Sequence, residues 1–200
     1  MGNKKTETDF RGNLTTYVYD GANRLKQRIE PLNKIHLYAY DEVGNVLSET
    51  DALGRITKHE YDALSHRTQT TDAANGLWLI KHDGNGNKTL STDPLGRKTS
   101  YVYDGLNRLK SENAPLGATT AYEYDFNSNT VRKTDANDHV TSYVFDAGNR
   151  MTELIGANGK RTMNSYDLND NLLKTIDPNL NTTVFSYDAL NRKKDMKDGA

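Results

Sequence analysis

The chain has 200 residues with 26 basic and 27 acidic side chains, so its net charge of −1 offers no basic surface that could neutralise nucleic-acid phosphates. It contains no cysteine, which excludes disulfides and thiolate metal sites. No apolar run is long enough for a membrane-spanning helix and no signal-peptide pattern opens the chain, so we expect neither a membrane span nor an export signal within it.

From its start the chain repeats. An aspartate recurs at every twenty-first position, from Asp20 and Asp41 through to Asp188, and an aromatic residue precedes it in eight of nine copies. A fixed period of this length, without insertion or deletion, indicates a repeat architecture. We take eight aromatic–Asp pairs as the structural repeat signature: Tyr19 and Asp20, Tyr40 and Asp41, Tyr61 and Asp62, Tyr103 and Asp104, Tyr124 and Asp125, Phe145 and Asp146, Tyr166 and Asp167, Tyr187 and Asp188. In the remaining copy, His82 precedes Asp83.

The residues before each aspartate predict a strand. Positions one, three and five before it are dominated by Tyr and Thr, and this period of two places them on one face. Tyr and Thr suit a half-buried strand surface. We therefore expect Tyr and Thr ladders in which each side chain stacks on its counterpart from the next repeat.

Two turns per repeat are also predicted. The position eight before the aspartate favours residue types that tolerate positive φ, with Leu180 as the exception. The second turn begins at the aspartate itself, whose carboxylate can accept a hydrogen bond from the amide two residues on, forming an Asx-turn. Each repeat therefore reads as strand, turn, strand, turn, which gives about eighteen strands.

A longer period is superimposed on the second turn. Four residues after the aspartate, a basic residue alternates with Asn through all nine copies, from Arg24 and Asn45 to Asn171 and Arg192. The effective unit is therefore a pair of repeats. We infer that hairpins two repeats apart present equivalent charged edges.

These elements predict an all-β protein. An antiparallel sheet of this many hairpin-linked strands is expected to curl or spiral, because large open sheets twist. The sequence predicts one array over residues 1–200, with about nine repeats and both ends in mid-repeat, as in a fragment of a longer array. Exposed sheet edges would favour edge-to-edge self-association.

The stretch from Asp93 to Leu109, Asp-Pro-Leu-Gly-Arg-Lys-Thr-Ser-Tyr-Val-Tyr-Asp-Gly-Leu-Asn-Arg-Leu, resembles the YD repeat of the Rhs family, and the resemblance covers essentially the whole chain. The family includes bacterial Rhs proteins and toxin-complex shell components and, more distantly, teneurins. The resemblance implies a segment of a hollow β-shell enclosing a C-terminal toxin or other cargo. The partners would be the rest of the array and the enclosed toxin domain, in a larger bacterial protein that is secreted or at the cell surface.

The sequence also departs from the family. The motifs that precede self-cleavage at the end of the shell are absent, and no segment is left to be the toxin. The aspartates occupy equivalent positions, whereas glycoside hydrolysis needs two carboxyl groups in unlike environments. We therefore expect a non-enzymatic module without catalytic residues or cofactor.

No residue is assigned as a metal ligand. Asp83-Gly84-Asn85-Gly86-Asn87 copies the first half of a calcium loop but lacks the Gly and Glu required later, so a hairpin turn is favoured. The histidines occupy ordinary repeat positions, His66 that of a turn Arg and His82 that of a Tyr, and are interpreted as substitutions.

The alternative function is a carbohydrate- or protein-binding module at the cell surface. Aromatic side chains present flat apolar faces that sugars stack on, and Trp78 and Tyr101 are the candidate contacts. Core packing of the same side chains is the competing interpretation.

Overall fold

The computed structural model describes residues 2–199 as an all-β protein of 19 strands with no α-helix in that range. The chain divides into two compact units, one over residues 1–100 and one over residues 101–200. The first unit contains nine strands: β1 Thr6–Thr8, β2 Leu14–Tyr19, β3 Leu25–Glu30, β4 Lys34–Tyr40, β5 Val46–Thr50, β6 Ile56–Tyr61, β7 Arg67–Thr71, β8 Leu77–His82 and β9 Lys88–Thr92. Strand β10, Lys98–Tyr103, spans the division. The second unit contains the other nine: β11 Leu109–Asn113, β12 Thr119–Tyr124, β13 Thr130–Thr134, β14 Val140–Phe145, β15 Met151–Ile155, β16 Arg161–Tyr166, β17 Leu172–Ile176, β18 Thr182–Tyr187 and β19 Lys193–Gly199.

Within each unit the strands form an antiparallel meander, each pairing with its neighbour in sequence. β2 pairs with β3 through Thr16↔Ile29, and β12 pairs with β13 through Ala121↔Thr134. Strand β1 pairs with β2, and β19 pairs with β18. The predicted all-β array of antiparallel hairpins is confirmed.

The sheet of each unit is a single layer. Among residues 2–199 no hydrophobic side chain is buried, and His59 alone falls in the buried class. Its ring Nδ1 lies 3.0 Å from Thr70 Oγ1, and burial lowers the pKa of His59. No helix of the described residues is long and apolar enough to cross a membrane.

The two faces of the sheet differ as the period of two predicts. In each strand that precedes a repeat aspartate, the residue one before it is half-buried and the residue three before it is half-buried or, at His59, buried, whereas the residue between them is exposed. The face opposite the aromatic residues is the exposed one. It carries valines with 39–46% of their surface accessible, namely Val18, Val102, Val144 and Val184. The aromatic face is shielded by side chains of its own sheet, since no second layer covers it in the described residues.

A β-bulge precedes each repeat aspartate for which the pairing is described. The register between β2 and β3 shifts between Val18 and Tyr19, and the equivalent shift recurs in the other hairpins of both units. Such a bulge follows from a hairpin loop built on a type I turn and a residue of positive φ. It places the aromatic residue and the aspartate at the mouth of the turn.

Candidate functional site

We call the turns that begin at the nine repeat aspartates the YD turns; Asp104 shows their construction. Its Oδ1 accepts hydrogen bonds from the backbone amides of Leu106 (2.9 Å) and Arg108 (3.0 Å), and its Oδ2 accepts one from Arg108 Nε (2.7 Å). Its amide donates to the Arg108 carbonyl at 2.9 Å, and the Asn107 amide donates back to the Asp104 carbonyl at 3.0 Å. The predicted Asx-turn is therefore present and is extended by a second amide and a side chain.

All nine YD turns share these bonds. The aspartate accepts from the amide two residues on in every copy. The side chain four residues on pairs with Oδ2 in every copy: Arg24, Asn45, His66, Asn87, Arg108, Asn129, Arg150, Asn171 and Arg192. Arg and Asn are both accommodated at this position because either side chain can donate to the same carboxylate oxygen.

These bonds hold the aspartates in their ionised form. The backbone hydrogen bond from Arg108 lowers the pKa of Asp104, burial opposes it, and the Arg108 side chain adds to the lowering. The pKa values of the other eight repeat aspartates are lowered as well. Carboxylates whose acceptor sites are filled by their own turn are typical of structural groups rather than of a general acid.

The YD turns are also bonded to one another. Asn129 Nδ2 donates to Asn149 Oδ1 at 2.9 Å, and Asn171 Nδ2 donates to Asn191 Oδ1 at the same distance. In the first unit, Asn45 Nδ2 donates to Ser65 Oγ at 3.0 Å. Each of these bonds joins one turn to a residue of the next YD turn.

Arginine makes the same connection with a longer reach. Arg24 Nη1 donates to the Asp41 carbonyl at 2.6 Å, and Arg108 Nη1 donates to the Asp125 carbonyl at 2.9 Å. The guanidinium also lies over the tyrosine ring of the following repeat, with Arg108 4.6 Å from the centre of the Tyr124 ring. Arg24 over Tyr40 (4.7 Å) and Arg150 over Tyr166 (5.0 Å) repeat this contact.

The tyrosines of the signature bridge a gap between hairpins. The Tyr40 hydroxyl donates to the Leu25 carbonyl at 2.8 Å, and Leu25 lies beyond the last backbone pair of β3 and β4 on that side, Gln27↔Leu37. Five further tyrosines bond the carbonyl 15 residues earlier, at 2.8–3.1 Å: Tyr19, Tyr61, Tyr124, Tyr166 and Tyr187. A side-chain hydroxyl thus takes an acceptor that the separating strands leave open.

The tyrosine ladder therefore differs from the one expected. Tyr40 and Tyr19 lie two strands apart, at about 10 Å, which exceeds the roughly 4.5–7 Å of a ring–ring contact. The contact described for Tyr40 comes instead from Arg24, which directly precedes the intervening strand. An Arg lies over a Tyr at Arg24, Arg108 and Arg150, and Asn takes the Arg position in the intervening repeats.

A second row of turns lies midway between the YD turns in sequence, and we call these the alternate turns. Six of the nine also begin with aspartate, a regularity that was not predicted from the sequence: Asp9, Asp51, Asp72, Asp93, Asp135 and Asp177. Asp51 Oδ1 accepts from the amides of Leu53 (2.9 Å) and Arg55 (3.0 Å), as in a YD turn. Short 3₁₀ turns at Pro31–Asn33 and Pro115–Gly117 close two of the others.

The alternate turns contain the positive-φ positions that the sequence predicted. All nine of those positions have positive φ, including Leu180 at 71°. The YD turns contain a second set, three residues after the aspartate, with Asn107 at 60° and Ser128 at 68°. Asn and Gly at this second position were visible in the sequence, whereas Ser and Asp concealed the pattern.

The remaining candidates lie apart from the turns. Trp78, in β8, is 47% exposed, whereas Tyr101, in β10, is half-buried. The calcium-like segment that begins at Asp83 is a YD turn, and its carboxylate bonds the amides of Asn85 and Asn87. Phe145 occupies the signature tyrosine position and has no hydroxyl to donate.

This geometry defines a class of protein: a repeat array whose hairpins are joined through their turns. A family model described as RHS Repeat matches residues 40–76, 82–119 and 127–161, more than half of the chain. The chain belongs to the RHS repeat family, which confirms the resemblance seen in the sequence.

Solved structures share the fold at low sequence identity. The crystal structure of TcdB2–TccC3 matches at 15% identity with a TM-score of 0.57, over 96% of this chain and 13% of that one. The TcdB2–TccC3–Cdc42 structure matches at 13% identity and 0.56, over 93% and 13%. The structure of TcdB2–TccC3 without its hypervariable C-terminal region matches at 15% and 0.56, over 96% and 13%. The chain therefore spans about 13% of the length of these structures. No curated protein matches the sequence.

Proposed function

We propose that this chain is a non-enzymatic segment of an Rhs-type β-shell, and that it contributes wall to a chamber enclosing a C-terminal toxin or other cargo. The observation that carries the proposal is the single-layer sheet, in which no hydrophobic side chain of residues 2–199 is buried. An enzyme of this size would normally bury a core beneath its site. A wall needs strength along the sheet instead, and the bonds between YD turns run in that direction.

Membership of the RHS repeat family supports a shell role, and the fold of TcdB2–TccC3 agrees with it. The partners on this proposal are the rest of the array and the enclosed domain, within a larger bacterial protein that is secreted or at the cell surface. The chain itself is one array of about nine repeats within that protein.

Protease protection of the cargo in the full-length protein tests this proposal. We expect the segment that follows the array to resist digestion while the wall is intact. A triple variant in the YD row, Asp104→Ala with Asp125→Ala and Asp146→Ala, should expose it sooner. A matched triple in the alternate row, Asp93→Ala with Asp135→Ala and Asp177→Ala, should leave the cargo better protected than the YD triple does. Digestion of the cargo at the rate of the isolated domain in the unmodified protein would refute enclosure.

Sugar binding is a second candidate, and the exposure of Trp78 is the observation that favours it. The indole borders an open depression that is also lined by Arg67, Thr70 and Ser91, so an apolar face lies beside hydrogen-bonding groups. A glycan array probed with the unmodified chain, Trp78→Ala and Tyr101→Ala separates the two functions. Specific binding lost in Trp78→Ala would favour a surface-binding module, and no binding by the unmodified chain would eliminate it.

A further inference from the structure

One contact between neighbouring hairpins of the first unit differs from the Arg–Tyr contact of other repeats, because both the Arg and the Tyr are replaced. Where other repeats place Arg24 over Tyr40 and Arg108 over Tyr124, this one has His66 and His82. The sequence separation is the same in all three pairs. The two imidazole rings have their centres 5.0 Å apart and their planes inclined by 34°. The guanidinium and the phenol have thus both been replaced by a metal-binding type of side chain.

A carboxylate completes the cluster. Asp62 Oδ2 lies 3.1 Å from His66 Nδ1, in the bond that the YD turn makes with its fourth residue. One carboxylate oxygen of Asp62 and one ring nitrogen from each of His66 and His82 lie within 4.8 Å of one another. The three side chains converge although they come from two different hairpins.

An unsatisfied atom points to what the cluster could hold. His82 Nδ1 is buried and has no hydrogen-bond partner. A buried polar nitrogen without a partner is costly, and a bound ion is one of the few explanations for it. Gly86 lies against the His66 ring, since a Cβ at that position would lie 2.9 Å from His66 Nε2.

We propose that Asp62, His66 and His82 form a binding site for one zinc ion, with a fourth coordination position open to water. Two imidazoles and one carboxylate are a usual ligand set for such an open zinc site. Ligand distances of roughly 2.0–2.2 Å around a tetrahedral ion separate the ligand atoms by about 3.3–3.6 Å. Asp62 Oδ2 and His66 Nδ1 lie 3.1 Å apart, and the other separations in the cluster, at most 4.8 Å, would have to close to that spacing by side-chain rotation.

The donor set selects among cations. Calcium and magnesium prefer oxygen ligands, and this cluster offers two nitrogens. A metal-bound ring nitrogen carries no proton, so an ion held by Asp62 and by Nδ1 of His66 would take the place of the hydrogen bond between them. The ion would connect a YD turn to the following hairpin, as Arg24 and Tyr40 do in the first repeats.

The chain offers a matched control. His139 Nδ1 lies 3.2 Å from Asp135 Oδ2, so a histidine pairs with the aspartate of its own turn as His66 does. His82 follows His66 at the same sequence separation as Ile155 follows His139. Ile155 cannot bind a metal. This pair tests whether one histidine and one aspartate suffice.

Calorimetric titration of the purified chain with zinc chloride tests the proposal. We expect one zinc per chain in the unmodified protein. The double variant His66→Arg with His82→Tyr restores the residues of neighbouring repeats and should bind zinc at least tenfold more weakly, while His139→Asn should bind it unchanged. Calcium chloride should give no saturable binding.

Thermal unfolding followed by circular dichroism provides an independent measurement. Zinc should raise the melting temperature of the unmodified chain and of His139→Asn, because a ligand that binds only the folded state stabilises it. Should the double variant fail to fold, Asp62→Asn keeps an acceptor for the turn amides and should still weaken zinc binding tenfold. Undiminished zinc affinity in a folded double variant, or in Asp62→Asn, would overturn the proposal, as would no saturable binding by the unmodified chain.

Discussion

Where they begin with aspartate, the two rows of turns close their hairpins with the same hydrogen bonds, but they differ in what they contribute to the next hairpin. In the alternate row, Arg55 pairs with Asp51 of its own turn, and 64% of its side chain is exposed. In the YD row, Arg24 makes the equivalent pair with Asp20 but is only 30% exposed, because it also reaches the Asp41 carbonyl and the Tyr40 ring.

This difference accounts for the unequal regularity of the two rows. Within this chain the YD row has aspartate at all nine positions, whereas the alternate row has Glu30, Ala114 and Gly156 at three. Lys160 Nζ donates to Asn179 Oδ1 of the next alternate turn at 3.2 Å, but a turn that serves mainly its own hairpin can be rebuilt locally, for instance around Pro31 or Pro115. In a YD turn the aspartate positions a side chain that bonds the neighbouring repeat, so a replacement would weaken two hairpins at once.

Acid should produce the largest effect, because it protonates the turn aspartates of both rows together. Hydrogen bonds within the turns lower the pKa values of aspartates in both rows. In the YD row, backbone and side-chain bonds from Arg24 lower the pKa of Asp20. In the alternate row, side-chain and backbone bonds from Arg55 lower the pKa of Asp51. A carboxylate with a lowered folded-state pKa stabilises the fold fully above its unfolded value of about 3.9, and this stabilisation is lost as the pH falls below that value. We expect urea unfolding midpoints to be level near neutral pH and to fall steeply below about pH 4. A midpoint unchanged at pH 3 would contradict the role of the carboxylates.

Matched substitutions at Arg24 and Arg55 should separate the rows. Asn occurs naturally at both kinds of position, as Asn45 and Asn13, and bonds the aspartate of its own turn. Arg24→Asn should lower the free energy of unfolding by about 1 kcal/mol, through loss of the carbonyl bond and the ring contact. Arg55→Asn should stay within about 0.5 kcal/mol. Equal losses in chemical denaturation would show that the YD row has no special role.

Removing one hydroxyl should give a comparable or smaller loss. Tyr124→Phe keeps the ring beneath Arg108 and deletes the hydrogen bond to the Leu109 carbonyl. We expect a loss of about 1 kcal/mol, the usual net value of such a bond. Phe145→Tyr is the reverse experiment, because it supplies a hydroxyl where the signature lacks one. A neutral Tyr124→Phe would mean that water replaces the phenol at this position.

The smallest effect should be a gain. Leu180 has φ of 71° and an exposed side chain, so glycine would relieve backbone strain without losing buried surface. Leu180→Gly should stabilise the chain by about 0.5 kcal/mol, since the greater flexibility of unfolded glycine offsets part of the relief. Gly96→Leu, at the equivalent position of another repeat, should destabilise it. Opposite signs in the two variants are the expected result, and equal signs would argue against strain.

Local features of the fold were predictable from the sequence because they depend on neighbouring residues. Alternation of Tyr with Val or Ser identifies strand faces, and Gly or Asn identifies turns, as Tyr17 and Gly12 illustrate. The contact between Arg24 and Tyr40 depends on strand spacing and on where the β3–β4 ladder stops, which the repeat period does not specify. The proximity of His66 and His82 was missed for the same reason, although both replace a regular residue in adjacent repeats.

The Tyr40 bond to Leu25 has a consequence for how such a chain can evolve. The tyrosine bonds reach 15 residues back, and the arginine and asparagine bonds reach 17 or 20 residues forward. The hydrogen-bond partner in each of these bonds therefore belongs to the adjacent repeat. Where the partner is a backbone carbonyl, it is present whatever the side chain of that residue. A gene duplication or deletion of two whole repeats keeps the Arg and Asn alternation in phase and creates no unmatched junction. The length of the array can thus change by such steps, through copying errors alone, without new stabilising residues having to arise.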